Sequence, residues 1–275
     1  MKSKLLFNFP AGQDYSNSFP LGKFASILIT GKIAVNTGTF KSFGNIKITR
    51  DGDETHNVDL LDLIDFDNMK EGRPLLNIAQ GEFQDVVTLC VRLPFQFDGH
   101  KGVIRNALDV SKCNDTMLLF SHVQTTTPED LLGGNIRIYG EPTYHEEVYR
   151  PYMLPFSTSA TASEQGITIT RPNVALLLIR PVDVHDMIEA CVNGELIEHI
   201  YADDFILGSE EYWGVEEITG DLAWGMINLL PGGLPAELNN RVQVKIIQTT
   251  AVSTKMYAFG FQPLNANGNG SCPTC

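Results

Sequence analysis

The feature that most limits what this chain can fold into is a repeat of its own strand-and-turn plan. Residues 117–126 read MLLFSHVQTT and lead, after a turn-rich insert, to IRIYGEP at 136–142. Residues 242–250 read VQVKIIQTT and lead to KMYAFGFQP at 255–263. In each copy a strand closes on Gln-Thr-Thr, a turn intervenes, and a second alternating strand ends at a proline, as in a hairpin whose last strand is terminated. Toward the N-terminus the match continues in order. Leu93-Pro94 corresponds to Leu230-Pro231, Gly81-Glu-Phe to Gly220-Asp-Leu, and Asp51-Gly52 to Asn193-Gly194. The last two are strong hairpin dipeptides, because a tight turn between twisted strands needs positive φ. The spacing between partners shrinks along the chain, so the second copy is the same plan with shorter loops. A repeat found first fixes the architecture into which single elements must fit.

Each copy reads as strands. In the first, residues 27–29, 32–35, 45–49, 85–91, 117–124 and 136–139 are β-branched-rich runs bounded by turn residues. In the second, 166–170, 174–179, 187–192, 224–229, 242–248 and 256–261 do the same. Two short helices are expected at equivalent places, near 58–64 and 200–206. Gly and Pro, 24 and 14 of them, are scattered along all 275 residues, which suits many short strands better than long helices. The expected fold is all-β: two tandem jelly-roll β-sandwiches, a double jelly roll, with short helices in loops. The expected divisions are an N-terminal arm at 1–20, a first jelly roll at 21–145, a linker at 146–164, a second jelly roll at 165–264 and a flexible C-terminal tail at 265–275. The linker assignment rests on its Pro, Ser and Thr content.

The net charge is −13, from 33 acidic and 20 basic residues. That balance argues against a broad nucleic-acid surface, which needs clustered Lys and Arg, and no direct sequence-specific nucleic-acid binding is expected. Cys90, Cys113, Cys191, Cys272 and Cys275 are an odd, dispersed set that implies no disulfide framework. Cys272 and Cys275 have CxxC spacing but no second pair to complete a zinc site. No apolar run approaches the roughly 20 residues of a membrane-spanning helix.

Catalytic patterns are missing. The six histidines form no His-x-His or His-x-x-x-His pair, so the metal set of a two-domain cupin, the enzyme that this architecture brings to mind, is absent. Gly-x-Ser-x-Gly, the P-loop and the dinucleotide fingerprint are also absent. No catalytic residue is assigned. Carboxylates cluster at Asp59, Asp62, Asp65 and Asp67, at Asp203 and Asp204, and at Glu210, Glu211, Glu216 and Glu217. The plain expectation for these is a solvated helix face. The sharper one is a structural calcium ion at a subunit contact, with Asp203 and Asp204 as ligands, since a hard cation takes several oxygens. Trp213, Trp224, Phe95 and Phe97 are expected in the core or as contact anchors.

With this organisation, the sequence resembles the double jelly-roll major capsid proteins of tailless, membrane-containing icosahedral phages, of the compact corticovirus type. The residues that carry the likeness are 46–52 (IKITRDG) and 60–64 (LLDLI) in the first unit. In the second they are 192–194 (VNG), 202–207 (ADDFIL) and the block 238–261. The resemblance implies homotrimers of pseudo-hexagonal outline that meet neighbouring trimers and a penton protein. These would tile an icosahedral shell around an internal membrane, in a virion assembled in the host cytoplasm. It also implies that Lys2, Lys4, Leu5, Leu6 and Phe7, followed by Phe9, form a small basic and apolar foot on that membrane; an N-terminal strand or a disordered arm is the alternative. A hydrolase or glycan-binding protein on the same scaffold, or a minor penton or spike protein, are the rival readings.

Overall fold

The computed structural model describes residues 3–35, 40–71, 86–99, 102–110, 115–161, 163–182, 185–192, 195–215, 218, 223–229 and 242–263. In chain order the first part contains β1 (Lys4–Pro10), β2 (Tyr15–Ser18), β3 (Lys23–Val35), β4 (Phe40–Ser42), β5 (Asn45–Arg50), β6 (Asp53–Asp59) and α1 (Leu60–Lys70). It continues with β7 (Val86–Pro94), β8 (Phe97–Gly99), β9 (Gly102–Ile104), β10 (Leu108–Asp109), β11 (Thr116–Ser121), β12 (Gln124–Thr125) and β13 (Leu131–Pro142). The second part contains β14 (Tyr149–Ser157), β15 (Glu164–Ile169), β16 (Val174–Arg180), β17 (Met187–Val192), β18 (Glu195–Tyr201) and α2 (Ala202–Trp213). It ends with β19 (Gly225–Asn228), β20 (Val242–Ile247) and β21 (Lys255–Pro263).

The repeat is complete at the level of strand pairing. In the first unit β13 lies between β1 and β3, and β3 pairs onward with β7. The facing sheet runs β2-β11-β5-β6. In the second unit β21 lies between β14 and β16, and β16 pairs onward with β19. Its facing sheet runs β15-β20-β17-β18. Every strand of the second unit thus has a counterpart with matching neighbours in the first, and each helix follows the strand that closes the β5–β6 or β17–β18 hairpin. Eight antiparallel strands in two sheets per unit make a double jelly roll.

Local chemistry explains these elements. β5, β7, β11 and β20 alternate buried and outward positions with period two, as strands covered on one face must. The β5–β6 turn holds Asp51 at φ 53° and Gly52 at φ 80°, the positive pair that the Asp-Gly dipeptide promises. α1 begins where the Asp59 side chain accepts the Leu61 N–H at 2.8 Å. α2 stops at Gly214, φ 69°, a left-handed cap.

Two of the expected divisions carry strands of the rolls. Residues assigned to the N-terminal arm, 1–20, include β1 and β2, which are paired into both sheets of the first roll. Residues expected to be a linker contain β14, which is to the second roll what β1 is to the first. Pro151 and Pro155 disguised it. They have no N–H to donate, yet β14 is nearly an edge strand of its own sheet, where proline is tolerated. Its only ladder on the far side is a single parallel bridge to β6, Met153 opposite His56. The expected insert at 126–135 is shorter than it read: Pro128–Asp130 form a 3-10 turn, and β13 has begun by Leu131. The residue pairs 81/220, 193/194 and 230/231 and the tail 265–275 lie wholly or partly outside the described residues.

His56 stands at the junction of the units, fully buried, with one ring nitrogen 3.0 Å from the Thr55 hydroxyl and the ring edge-on to Phe95 at 5.4 Å. Burial drives its pKa down from 6.5 to about 3. The unfolded chain therefore takes up a proton near pH 6.5 that the folded chain refuses until about pH 3. Stability is lost as pH falls through that window, by about 1.4 kcal/mol per pH unit at the steepest. Urea titrations of the wild type and His56→Gln at pH 7, 6, 5 and 4 are expected to show the steeper loss in the wild type alone.

Candidate functional site

The most elaborate chemistry in the molecule lies along the seam where the first roll meets the second. On the second roll, the registers Arg180–Lys255, Leu178–Tyr257 and Leu176–Phe259 place these side chains on one face of the β16–β21 pair. That face looks toward the first roll. Its apolar members are sealed, Leu176 and Leu178 at 5% exposure and Tyr257 at 1%, and α1 meets Tyr257 through Asp62 and Phe66.

α1 and its N-cap bring three acidic groups to that surface. Asp62 and Asp65 are buried, at 0%. Asp62 Oδ2 accepts the Tyr257 hydroxyl at 2.6 Å and also takes the Lys255 ammonium. Asp62 Oδ1 has no hydrogen bond and is held by the charge of Arg180, whose Nη2 is 3.4 Å away. Arg180 Nη1 stands 3.4 Å from Asp65. The guanidinium lies over the Trp224 ring, 4.8 Å from its centre, so its flat face is covered as well as its edges. Asp59 completes the group: its backbone N–H donates to the Tyr257 hydroxyl at 3.3 Å. Burial, and then the negative charge of Asp62, raise the Asp59 carboxyl above its ordinary pKa. The same two causes, in the same order, push the Tyr257 phenol up.

An aromatic patch backs these charges. Phe66 of α1 meets Trp224 edge-on at 4.9 Å and Tyr257 at 5.8 Å. Trp213 of α2 donates its indole N–H to the Trp224 carbonyl at 2.8 Å. Further along, Arg171 grips Asp53 with two bonds of 2.6 and 2.7 Å and the Glu54 carbonyl at 3.0 Å. This fork geometry holds the Asp53 carboxyl below its usual pKa. The chain crossing between the rolls is fixed by Asn106. Its amide donates to the carbonyls of Phe95 and Tyr149, and its oxygen accepts the N–H groups of Val148 and Tyr149. Buried Arg50 pairs with Glu147 in the same crossing and donates to the Asp109 carbonyl at 2.8 Å.

The expected site residues fall in different surroundings. Asp62 and Asp65 are not a solvated helix face; they are counter-charges sealed between the rolls. Asp203 and Asp204 are exposed in the first turn of α2, where negative charge complements the helix dipole. Among the described residues no group of three His, Cys, Asp or Glu side chains is placed to hold a metal ion. The expected N-terminal foot is divided. Lys4 and Leu5 are exposed, whereas Leu6 packs against the core and Phe7 and Phe9 are buried in it. Phe7 meets Phe19 edge-on at 5.2 Å, and Phe9 stacks on Tyr15 at 4.2 Å. Lys2, Cys272 and Cys275 lie outside the described residues. Trp224 and Phe95 are core residues as expected, and Trp213 is nearly as deep.

The groups that sequence reading missed are Arg171, Arg180, Lys255 and Asn106. A signal for two of them was present. Residues 174–179 are an unbroken apolar run, VALLLI, which marks a strand covered on both faces, and Arg180 ends it. Lys255 opens the comparable run, MYAFGF.

No protein-family model matches the sequence, and no curated protein matches it. Solved structures do. The major capsid protein from Bacteriophage PM2 aligns at a TM-score of 0.62 and 16% identity, covering 95% of this chain and 96% of that one. A chain from the atomic structure of Sulfolobus Turreted Icosahedral Virus aligns at 0.62 and 11%, covering 96% and 91%. The STIV MCP aligns at 0.58 and 10%, covering 98% and 97%.

The seam predicts a graded mutational response. Arg180→Ala removes the cation shared by two buried carboxylates and is expected to cost about 3–5 kcal/mol. Arg92→Ala removes a half-exposed partner of Glu141 and is expected to cost under about 1 kcal/mol. Urea unfolding of the two variants measures the difference; equal losses would contradict the weight given to the seam. Across its described residues, the chain has the double jelly-roll fold of those capsid proteins.

Proposed function

We propose that this chain is the major capsid protein of an icosahedral virus with an internal membrane, and that its function lies in contacts between copies rather than in catalysis. The observation that carries this reading is the likeness in fold to capsid proteins along nearly the full length of both chains. The seam supports it physically. A tile must keep its outline while it meets several neighbours, and a buried ion-pair network with an aromatic backing locks the two rolls into one block. Two rolls side by side per chain, three chains per ring, give six similar corners from one gene product.

In this reading the partners are two further copies in a homotrimer, neighbouring trimers, a penton protein at the vertices and the internal membrane. The protein resides in the virion after assembly in the host cytoplasm. Lys4 and Leu5 are the members of the N-terminal foot left free to face an anionic lipid surface. Light scattering on the purified protein is expected to give three times the 30.4 kDa chain mass. A strict monomer at every concentration would contradict the trimer.

A further inference from the structure

On other sheets of this chain an outward cation meets a carboxylate on the next strand. Lys245 of β20 lies between Glu164 of β15 at 3.0 Å and Glu189 of β17 at 3.3 Å. Lys47 of β5 reaches Glu54 of β6 at 3.4 Å. That pattern suits a chain with 33 acidic and 20 basic residues, where counter-charges are plentiful. The outward face of β13, β3 and β7 breaks it. Two successive rows there are Arg137–Thr30–Cys90 and Asn135–Lys32–Thr88, so two cations stand among hydroxyls, an amide and a thiol. Lys32 and Arg137 make no ion pair among the described residues. The carboxylate of β13 itself, Glu141, is held by Arg92 at 2.8 Å and by the Ser26 hydroxyl.

These six residues line a groove of about 400 Å³. Lys32 and Arg137 are diagonal neighbours across the β3–β13 pair, which sets their Cβ atoms about 7 Å apart. Both are exposed, as are Asn135, Thr88 and Cys90. Two like charges this close repel each other, and an anion placed between them relieves that repulsion. The guanidinium fork takes a carboxylate or sulfate through two bonds, and the amide and hydroxyls around it bond neutral oxygens. Tyr139, partly exposed, follows Arg137 on the same face of β13 and offers an apolar ring beside a polar row. Cations, neutral hydrogen-bonding groups and an aromatic ring in one place match a sugar that carries an acidic substituent. A nucleic acid is a poor match, because the net charge of −13 repels a long polyanion and the groove holds two cations rather than a stripe.

We propose that this groove is a binding site for an anionic saccharide, a sugar bearing a carboxylate or a sulfate. Arg137 and Lys32 hold the acidic group, Asn135, Thr30 and Thr88 bond the sugar hydroxyls, and the Tyr139 ring lies against an apolar edge of the sugar. Affinity falls as salt rises, since both cations are exposed and screened. The site is built from the first roll alone and stands or falls apart from the capsid reading.

The test is isothermal titration calorimetry on the purified full chain at low salt. Trigalacturonic acid is the carboxylated probe and a heparin tetrasaccharide the sulfated one; maltotriose, sodium sulfate and sodium phosphate are the controls. At least one acidic sugar is expected to bind. Lys32→Gln and Arg137→Gln, with folding verified by far-UV circular dichroism, are each expected to weaken it roughly tenfold, and Lys47→Gln to leave it unchanged. A second readout needs no variant. The bound sugar is expected to slow alkylation of Cys90 by iodoacetamide several-fold, measured by peptide mass spectrometry with Cys191 as the internal reference. Failure of both acidic sugars to bind, or binding that ignores both substitutions and leaves Cys90 unprotected, overturns the site. Maltotriose binding as tightly as the acidic sugars overturns the role of the two cations. Sulfate or phosphate protecting Cys90 as fully as the sugars at equal concentration overturns the saccharide assignment.

Discussion

Everything else in this molecule is arranged around the burial of Asp62 and Asp65 against Arg180 and Lys255. Charges taken out of water are costly unless each finds a partner, so a network of this kind adds little net stability but tolerates only one arrangement. Here that arrangement requires α1, a helix of the first roll, to lie on a sheet of the second. The requirement explains why β14 sits beside β6, why Asn106 and Arg50 clamp the crossing, and why Arg171 reaches back to Asp53. Apolar packing by Phe66, Trp224 and Tyr257 supplies the attraction; the charges supply the register.

The double jelly roll was legible because its signals are local and repeated. β-Branched runs, hairpin dipeptides and closing prolines recur in the same order in both halves. What escaped was whatever depended on the other half of the chain. β6 reads DETHNVD, too polar to register as a strand, because its partners on the seam are Arg171 and β14 rather than a plain core. β14 carries two prolines and looked like a linker. The carboxylates of α1 looked like a wet helix face because the cations that bury them lie more than 100 residues away. Composition near a residue does not reveal a partner so distant in sequence.

Comparison of the two halves would have revealed the seam. β3 and β13 alternate outward polar and inward apolar residues, as in TGKIAV and NIRIY, whereas their counterparts β16 and β21 run apolar on both faces. Equivalent strands with different periodicity have different surroundings, so one sheet is covered twice and the other once. Departures from the repeat, more than the repeat itself, locate the contacts that matter.

The account's central claim is that the seam makes the two rolls one body. The most direct test is equilibrium unfolding in guanidinium followed by two probes. Both tryptophans, Trp213 and Trp224, belong to the second roll, while far-UV circular dichroism reports the strands of both. One block predicts coincident transitions with a single midpoint. A fluorescence transition displaced from the circular dichroism transition, one roll unfolding while the other persists, would contradict the claim.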